Sequence, residues 1–352
     1  MVRDLCFEII EKCPNSCKFC SSNSSIEKEK IIKFADFKRV IDFFINTGGI
    51  EELSLSGGEP FLHPDLIEMV NYAKQKKIKT VIFTSGVMRQ SEISEEAKNY
   101  LMMEMNKKIN DVLKNEPWNA FLIEKIMNHY MQYIDTKNYT NISKSILNNL
   151  KNIGLDKIVF DYQAYKFETD EYLMGRNQAS RQALLDSLLN AKFTNLNVDV
   201  HFVPMKPNYK EINDIIEMLE IAGIKNLSIL NFVPQGRGKL NKNELQLSNL
   251  ELSEFFEILN NSKKHYSGSI RIGIPLQSEA NHKCNAGLEK IDIKFDGTIL
   301  PCPAFKDITL EECKKYNVKL YNIYDDISEF SIPGRGTRSE PLCKKIYNKR
   351  ER

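Results

Sequence analysis

The sequence predicts an α/β protein whose parallel strands curl into a barrel or a partial barrel. Short apolar runs alternate with helical patterns along most of residues 1–240, the order that is typical of strand–helix repeats. A cysteine-rich loop follows the first predicted strand, and a glycine turn follows the second. Because sites on such sheets lie at the carboxyl ends of the strands, both segments are predicted to lie on one rim.

Six strand–helix units make up the predicted barrel. The first helix carries Phe37, Val40, Ile41, Phe44 and Ile45 on one face and stops at Gly48-Gly49. Pro64 opens the second helix, and two more are predicted near Arg181–Ala191 and Tyr209–Ala222. The strands are predicted at Leu5–Ile10, in EELSLS before Gly57, and at Lys79–Gly86, Lys157–Gln163, Leu196–Pro204 and Asn226–Pro234.

The alternation pauses between about Val87 and Leu150. This stretch is rich in Lys, Asn, Glu and Met, which predicts helices with polar joints. It is long for a strand-to-helix connection. A lid, a peptide dock, a dimer surface and a simple packed flap are the alternatives for its role.

Composition excludes several classes of protein. The 352 residues carry a net charge of +2, which argues against a protein devoted to duplex nucleic acid. No run of eighteen apolar residues appears, so no membrane span is expected. The start, MVRDLCFEII, is too short and too charged for a secretory signal, so a cytoplasmic location is expected.

Three of the eight cysteines, Cys13, Cys17 and Cys20, crowd into one polar loop. Thiolates favour zinc, copper or iron–sulfur clusters, but a structural zinc site needs four protein ligands. Only three are local here, and the nearest downstream histidine is His63. A cluster with one open iron, a zinc site completed by a distant residue, and unligated cysteines are the alternatives. Cys6, on the first strand, is expected to be a buried structural thiol.

The motif C-x3-C-x2-C, with Phe19 before its last cysteine, resembles the signature of the radical SAM superfamily. GGEP at Gly57–Pro60 is similar to the methionine-binding turn of that family, and FTSG resembles the usual end of its third strand. The resemblance covers about residues 5–238. It implies a partial (β/α)6 TIM-like barrel of the radical SAM type over residues 1–240, with the helical insertion at about 87–150.

By that resemblance, Cys13, Cys17 and Cys20 hold a [4Fe-4S] cluster whose open iron is chelated by S-adenosylmethionine. Reductive cleavage then gives a 5′-deoxyadenosyl radical that abstracts a substrate hydrogen, while the protein orients the reactants and excludes solvent. The glycines allow a close backbone approach, and Glu59 offers a carboxylate to an ammonium group. The residues expected at the cofactor are Phe19, Gly57, Gly58, Glu59, Pro60, Thr84, Ser85, Asp161, Gln163, His201 and Arg237.

A second cysteine group lies in the predicted C-terminal domain, residues 241–352. There a helix near Leu250–Asn260 and the strand SIRIGIP precede a hairpin that turns at Asp296-Gly297. Cys284, Gly297 and Cys302 have the spacing of the opening motif of the SPASM and Twitch extensions, and the chain resembles the shorter Twitch type. The resemblance implies an auxiliary [4Fe-4S] cluster held by Cys284, Cys302, Cys343 and Cys313, or left open if Cys313 does not bind. A zinc site and a hairpin without metal are the alternatives.

Family members with such extensions carry out oxidative modifications. The sequence predicts an oxidoreductase or maturase that dehydrogenates or forms a bond in a small molecule or a nucleotide or cofactor precursor. It would use an external one-electron reductant of the flavodoxin or ferredoxin type. Modification of a ribosomally made peptide, by thioether or carbon–carbon crosslinking or by epimerisation, is the alternative; the cluster loop begins at residue 13, which leaves no room for a leader-binding module before it. An iron–sulfur electron carrier or sensor is the alternative of another class.

Overall fold

A computed structural model describes residues 2–89, 95–134, 139–273, 276, 284–316 and 319–330. The strands are β1 (Val2–Ile10), β2 (Ile50–Gly57), β3 (Lys79–Thr84), β4 (Met88–Arg89), β5 (Tyr139–Thr140), β6 (Lys157–Asp161), β7 (Val198–Phe202), β8 (Asn226–Ile229), β9 (Ser269–Ile272), β10 (Lys290–Ile293), β11 (Thr298–Leu300) and β12 (Tyr321–Asn322). The helices are α1 (Phe34–Asn46), α2 (Leu66–Gln75), α3 (Glu95–Asn115), α4 (Ala120–Ile134), α5 (Lys144–Ile153), α6 (Phe167–Met174), α7 (Gln178–Phe193), α8 (Ile212–Ile221), α9 (Arg237–Leu240), α10 (Lys242–Leu245), α11 (Asn249–Ser262) and α12 (Leu310–Tyr316).

The predicted α/β fold with a parallel sheet is confirmed. In the described residues the main sheet has the order β12-β11-β10-β1-β2-β3-β6-β7-β8-β9. The six strands from β1 to β8 in this order pair in parallel, each with the strand that follows it in the predicted barrel. A partial TIM-like barrel accounts for this arrangement.

The alternation of side chains along the strands separates an apolar outer face from a polar inner face. Leu5, Phe7 and Ile9 of β1 are buried in the main core, together with the apolar face of α1. The other face of β1 carries Asp4, Cys6 and Glu8, and Cys6 lies opposite Ser54 on β2 and Asp292 on β10. The interior of the barrel is therefore lined with polar groups, which can contact a polar ligand or one another.

The sheet continues on both sides of the six barrel strands. Strand β9 pairs in parallel with β8, and α11 packs against α8. At the other edge β10 pairs in parallel with β1, and β11 and β12 extend the sheet in antiparallel fashion. The hairpin predicted at Asp296-Gly297 is confirmed, with Gly297 at φ +84°. The domain boundary near residue 240 stays a prediction, and one sheet runs across it.

Two helices, α3 and α4, form most of the predicted insertion and pack against each other. A short antiparallel pair, β4 and β5, lies at their base, and α5 begins inside the predicted insertion as the helix that leads into β6. The apolar side chains Tyr100, Met103, Trp118 and Phe121 are exposed. Within the part of the chain that the structure describes, no helix has the length and apolar character needed to cross a bilayer.

Candidate functional site

The cysteine loop follows β1 at the carboxyl end of the barrel, where it was predicted. The backbone of Cys13 donates to the carbonyl of Ser25 (3.0 Å), and the backbone of Cys20 donates to the carbonyl of Cys17 (3.2 Å). A second segment supports the loop from outside, since the backbone of Lys18 donates to the carbonyl of Leu173 (2.8 Å). These hydrogen bonds fix the backbone path of the cysteine loop.

The three cysteines of this loop act electrostatically on one another. Burial, then the Cys17 sulfur, raises the pKa of Cys13 well above its ordinary value. Burial, then the Cys20 sulfur, raises the pKa of Cys17 to about 12, while Arg176 and Arg237 act in the opposite direction. Without a positive group beside them, Cys13 and Cys17 are therefore thiols. A metal centre would supply the charge that makes them thiolates, so this donor set fits an iron–sulfur cluster.

A structural zinc site needs donor side chains that converge on one ion. Among the residues that the structure describes, no three Cys, His, Asp or Glu side chains converge on one ion position, as a structural zinc requires. A cubane cluster spaces its thiolates more widely because each binds a different iron. His63 is buried, with Nε2 2.9 Å from the carbonyl of Ile32 and Nδ1 accepting from the backbone of Asp65. Its ring is thus occupied in holding the turn before α2.

The GGEP turn lies directly against the start of the cysteine loop. The backbone of Gly58 donates to the carbonyl of Ile10 (2.6 Å), and that of Glu59 donates to the carbonyl of Lys12 (2.8 Å). A Cβ on Gly58 would lie 2.1 Å from the oxygen of Lys12, and one on Gly57 would lie 2.3 Å from the oxygen of Ile10. The glycines are therefore needed to let two backbone segments meet, in addition to any approach of a ligand.

The carboxylate of Glu59 is fully buried and accepts four hydrogen bonds. Oε1 accepts from the backbone of Phe61 (3.2 Å) and from Thr84 Oγ1 (2.7 Å). Oε2 accepts from the backbone (2.8 Å) and the hydroxyl (2.6 Å) of Ser85. Burial raises the pKa of Glu59, although these hydrogen bonds oppose the rise. The side chain thus ties the turn after β2 to the end of β3, and Thr84 and Ser85 are its partners.

Phe19 and Pro60 both lie on apolar surfaces at the rim. Phe19 packs with Cys17 and Val203 against a small cluster of buried side chains, namely Leu173, Met174, Met205, Phe232 and Leu245. Pro60 is buried and opens a short 3-10 turn over Pro60–Leu62. Phe19 therefore has a packing role whether or not it also covers a cofactor.

The predicted polar residues of β6 and β7 lie close together. Gln163 donates to Asp161 Oδ1 (3.0 Å) and to the carbonyl of His201 (3.2 Å), and its oxygen accepts from the backbone of Val203 (2.9 Å). The His201 ring lies 5.2 Å from that of Phe83, centroid to centroid, and burial, then Arg271, lowers its pKa to about 3. His201 is therefore a neutral imidazole near neutral pH, while Gln163 fastens the two strand ends.

Arg237 is held by the cysteine loop. Its Nε donates to the carbonyl of Cys17 (2.8 Å), and one terminal nitrogen donates to Asn23 Oδ1 (3.3 Å). The other terminal nitrogen, NH2, is buried and has no hydrogen-bond partner among the described residues. That group can donate to an anionic ligand, as the prediction for Arg237 requires.

Sequence reasoning missed Arg176. Its guanidinium is buried between α6 and α7, where it donates to Asp170 Oδ1 (3.0 Å) and to the carbonyl of Ser85 (3.0 Å). Its charge reaches both Cys17 and Asp161, since it opposes the rise in the pKa of each. A single arginine in a polar loop carries no signal of burial, so only the tertiary structure reveals this position.

Two cysteines of the second group come together. Cys284 and Cys302 share a small apolar cluster with Ala286 and Phe305, beside the β10–β11 hairpin. Cys313 is buried on α12 and does not belong to this group of apolar side chains. Burial raises the pKa of Cys313. Cys343 lies outside the described residues. The auxiliary cluster and its ligand set stay a prediction.

The expected character of Cys6 fits its surroundings. The side chain is buried on β1, and burial, then the charge of Asp292, raises its pKa well above the ordinary value. A thiol with a raised pKa in a closed environment is unreactive. The burial of Cys6 agrees with the structural thiol that the sequence predicts.

Comparison with known protein families adds a direct match. Residues 7–107, which include the cysteine loop and the GGEP turn, match the model of the Radical SAM superfamily. The chain is 22% identical to the PqqA peptide cyclase of Bradyrhizobium diazoefficiens over 349 residues, covering 96% of this chain and 76% of that protein. It is also 23% identical to a probable GTP 3′,8-cyclase of Saccharolobus islandicus over 317 residues, covering 86% of this chain and 82% of that protein.

Solved structures share the fold. Streptococcus suis SuiB bound to S-adenosylmethionine superposes with a TM-score of 0.63 at 17% identity, covering 98% of this chain and 68% of SuiB. The native anSMEcpe structure with bound AdoMet gives a TM-score of 0.55 at 13% identity, covering 96% of this chain and 89% of that one. At these identities the likeness supports the fold, including the region beyond residue 240.

Proposed function

We propose that this chain, whose residues 7–107 match the model of the Radical SAM superfamily, is a radical SAM enzyme that forms a new bond within a ribosomally made peptide. The observation that carries this proposal is the extent of the similarity to the PqqA peptide cyclases. It spans 96% of the chain and therefore includes both the barrel and the C-terminal region with Cys284 and Cys302. The sequence alone favoured a small-molecule substrate over a peptide. The peptide cyclases among the relatives favour a peptide instead.

The residues at the rim match the tasks that such an enzyme requires. Cys13, Cys17 and Cys20 would hold the [4Fe-4S] cluster and leave one iron for S-adenosylmethionine. When bound, these two groups supply an organic radical that removes a hydrogen atom from the substrate. The chain itself holds the loop in place, since the GGEP turn and the carbonyl of Leu173 both fasten it.

Charged side chains around the loop would orient the bound groups. The buried NH2 of Arg237 has no partner in the described structure and would donate to a carboxylate or to the cluster. The Glu59 carboxylate already accepts four hydrogen bonds, so the backbone of the turn would contact the ligand while the side chain holds the turn. His201 is neutral and would act as a hydrogen-bond partner for substrate or cofactor, since a pKa of about 3 prevents it from carrying a proton near pH 7.

Bond formation within a peptide is an oxidation, and it removes two hydrogens in total. One leaves as the abstracted hydrogen atom, and the other leaves as a proton together with an electron. An auxiliary cluster held by Cys284, Cys302 and other cysteines would be the acceptor of that electron, and an external flavodoxin-type or ferredoxin-type protein would reduce the first cluster. The shared apolar environment of Cys284 and Cys302 supports this assignment.

A nucleotide substrate is the second candidate. The similarity to the probable GTP 3′,8-cyclase covers 86% of the chain, so it too extends through the C-terminal region. The polar interior of the barrel would accept a nucleotide as readily as a peptide backbone. The two candidates differ in the substrate that they would consume.

The test is anaerobic reconstitution with iron and sulfide, followed by dithionite and S-adenosylmethionine. We expect 5′-deoxyadenosine from the wild-type chain and none from the Cys13/Cys17/Cys20→Ala variant. That variant should retain about four irons if the auxiliary cluster is present. A short precursor peptide encoded beside the gene, and GTP in a parallel reaction, are then offered as substrates. Loss of two hydrogens from the peptide supports the proposal, whereas turnover of GTP alone overturns it in favour of the second candidate.

A further inference from the structure

A buried lysine connects the C-terminal hairpin to the cysteine loop. Lys306 follows Cys302 by four residues, and its Nζ donates to Glu8 Oε1, to Ser22 Oγ (2.8 Å) and to Ser21 Oγ (3.2 Å). An ammonium group has three donors, and all three are used. Ser21 and Ser22 follow Cys20 directly, so one side chain joins β1, the end of the cysteine loop and the segment after Cys302.

The charges at this contact are shielded from solvent. Glu8 is fully buried, and the side chain of Lys306 is only 9% exposed. Burial alone would lower the pKa of Lys306, but Glu8 and Asp292 raise it above its ordinary value, so the ammonium stays charged. The Cys6 thiol lies within hydrogen-bonding reach of Asp292, and burial, then the charge of Glu8, raises the pKa of Asp292 to about 7. Glu8 is thus the carboxylate that directly compensates Lys306.

The next residue makes a second connection to the same loop. Asp307 Oδ2 accepts from the backbone of Gly236 (2.6 Å), and the following backbone nitrogen, that of Arg237, donates to the carbonyl of Cys20 (3.0 Å). Gln235 donates to the carbonyl of Pro303 (3.2 Å). Residues 303–307 therefore reach Cys20 from one direction through Lys306 and from another through Gly236.

We infer that Lys306 is a positioning residue for the Cys13–Cys20 site: paired with Glu8, it holds Ser21 and Ser22 and sets the charge beside the cluster. The inference rests on the proposed cluster at Cys13, Cys17 and Cys20, but it does not require that the auxiliary cluster exists. A positive charge near an iron–sulfur cluster favours the reduced form, because reduction adds an electron. Lys306 should therefore raise the reduction potential of this cluster, and Glu8 should lower it.

The two single variants should shift the reduction potential in opposite directions, which a purely structural role would not do. Replacing Lys306 by Met removes the cation and leaves Glu8 buried without a partner, so this variant can fold poorly. Replacing Glu8 by Gln keeps the shape of the side chain and removes only its charge. The Glu8→Gln/Lys306→Met variant removes both charges of the pair, so no charge is left without its partner. Its reduction potential can be compared with that of Glu8→Gln if Lys306→Met fails to fold. Lys294→Met is the matched control, because Lys294 pairs with Asp296 at the turn of the same hairpin.

The experiment is an EPR-monitored redox titration of the full reconstituted chains, with iron content and the spectral change on adding S-adenosylmethionine recorded for each. We expect a more negative potential for Lys306→Met, a less negative one for Glu8→Gln, and values close to wild type for the double variant and the control. Equal potentials in all loaded variants, or shifts of the same sign in both single variants, would overturn the inference. A wild-type cluster that does not respond to S-adenosylmethionine would instead contradict the proposed function.

Discussion

Replacing Glu59 by Ala tests whether this carboxylate holds the turn or the ligand. In the structure its two oxygens accept from two backbone nitrogens, Phe61 and Ser85, and from the hydroxyls of Thr84 and Ser85. The hydroxyls can rotate toward other acceptors after the substitution, but the two backbone groups cannot move. Removal of the carboxylate therefore leaves two buried donors without partners.

The cost can be worked out from those two donors. Each unsatisfied buried group costs about 1–3 kcal/mol, and the loss of a buried charge with a raised pKa offsets part of the total. We therefore expect a loss of about 2–4 kcal/mol in the free energy of unfolding. For 352 residues, an unfolding entropy of about 2.1 cal/mol/K per residue gives a decrease in Tm of about 3–5 °C.

The assay is thermal unfolding of the cluster-free protein under reducing conditions, where no ligand contributes. Glu51→Ala, on the strand β2 that precedes the turn, is the control, because Glu51 is exposed and lies 3.7 Å from Arg3 in a surface pair; such pairs contribute about 0–1 kcal/mol. A Glu59→Ala protein with unchanged Tm in the cluster-free state, but with lost binding of S-adenosylmethionine, would refute the reasoning. In that case the carboxylate serves the ligand and not the turn.

Three further predictions concern the loop, the barrel interior and the second cysteine group. Gly58→Ala should reduce iron loading in reconstitution more than Gly154→Ala, because only the Cβ at Gly58 would meet backbone, 2.1 Å from the oxygen of Lys12; equal loading would contradict this. His201 has a folded-state pKa of about 3, below its unfolded value, so as the pH falls from about 6.5 the unfolded state binds a proton that the folded state does not. The free energy of unfolding should therefore fall less steeply with decreasing pH in His201→Gln than in the wild type. Between pH 6 and 4 the two slopes should differ by up to about 1.4 kcal/mol per pH unit. If denaturant titrations give the same pH dependence for both proteins, the prediction is wrong. Cys313→Ala, made in the Cys13/Cys17/Cys20→Ala background, should lower the remaining iron content if Cys313 is an auxiliary ligand, and full retention would indicate an open site.

Local patterns in the sequence were sufficient for the architecture and for the position of the cysteine loop. The six predicted segments of six to nine residues correspond to the six barrel strands, and the Asp296-Gly297 pair became a hairpin turn. These features depend on residues close together in the chain, whose spacing and turn chemistry decide the outcome. The resemblance to the radical SAM superfamily likewise followed from short motifs, the cysteine spacing and GGEP, whose residues are neighbours in the chain.

The sequence did not predict which residues far apart in the chain contact one another. Glu59 was expected to contact a ligand, and three of its four hydrogen bonds come from Thr84 and Ser85 at the end of β3, which only the pairing of β2 with β3 brings near. Arg176 and Lys306 gave no signal, because an isolated Arg or Lys in a polar segment is usually exposed.

The sequence by itself predicted the fold, the resemblance to the radical SAM superfamily and the three cysteines that would hold a cluster, since these depend on local order and spacing. Only the tertiary structure decided what holds that site in place. Lys306 and Glu8 lie 298 positions apart, and they meet because β10 pairs with β1 and brings the segment after Cys302 to the end of the cysteine loop. A buried charge requires a partner wherever the fold supplies one, and chain order alone does not reveal where that is.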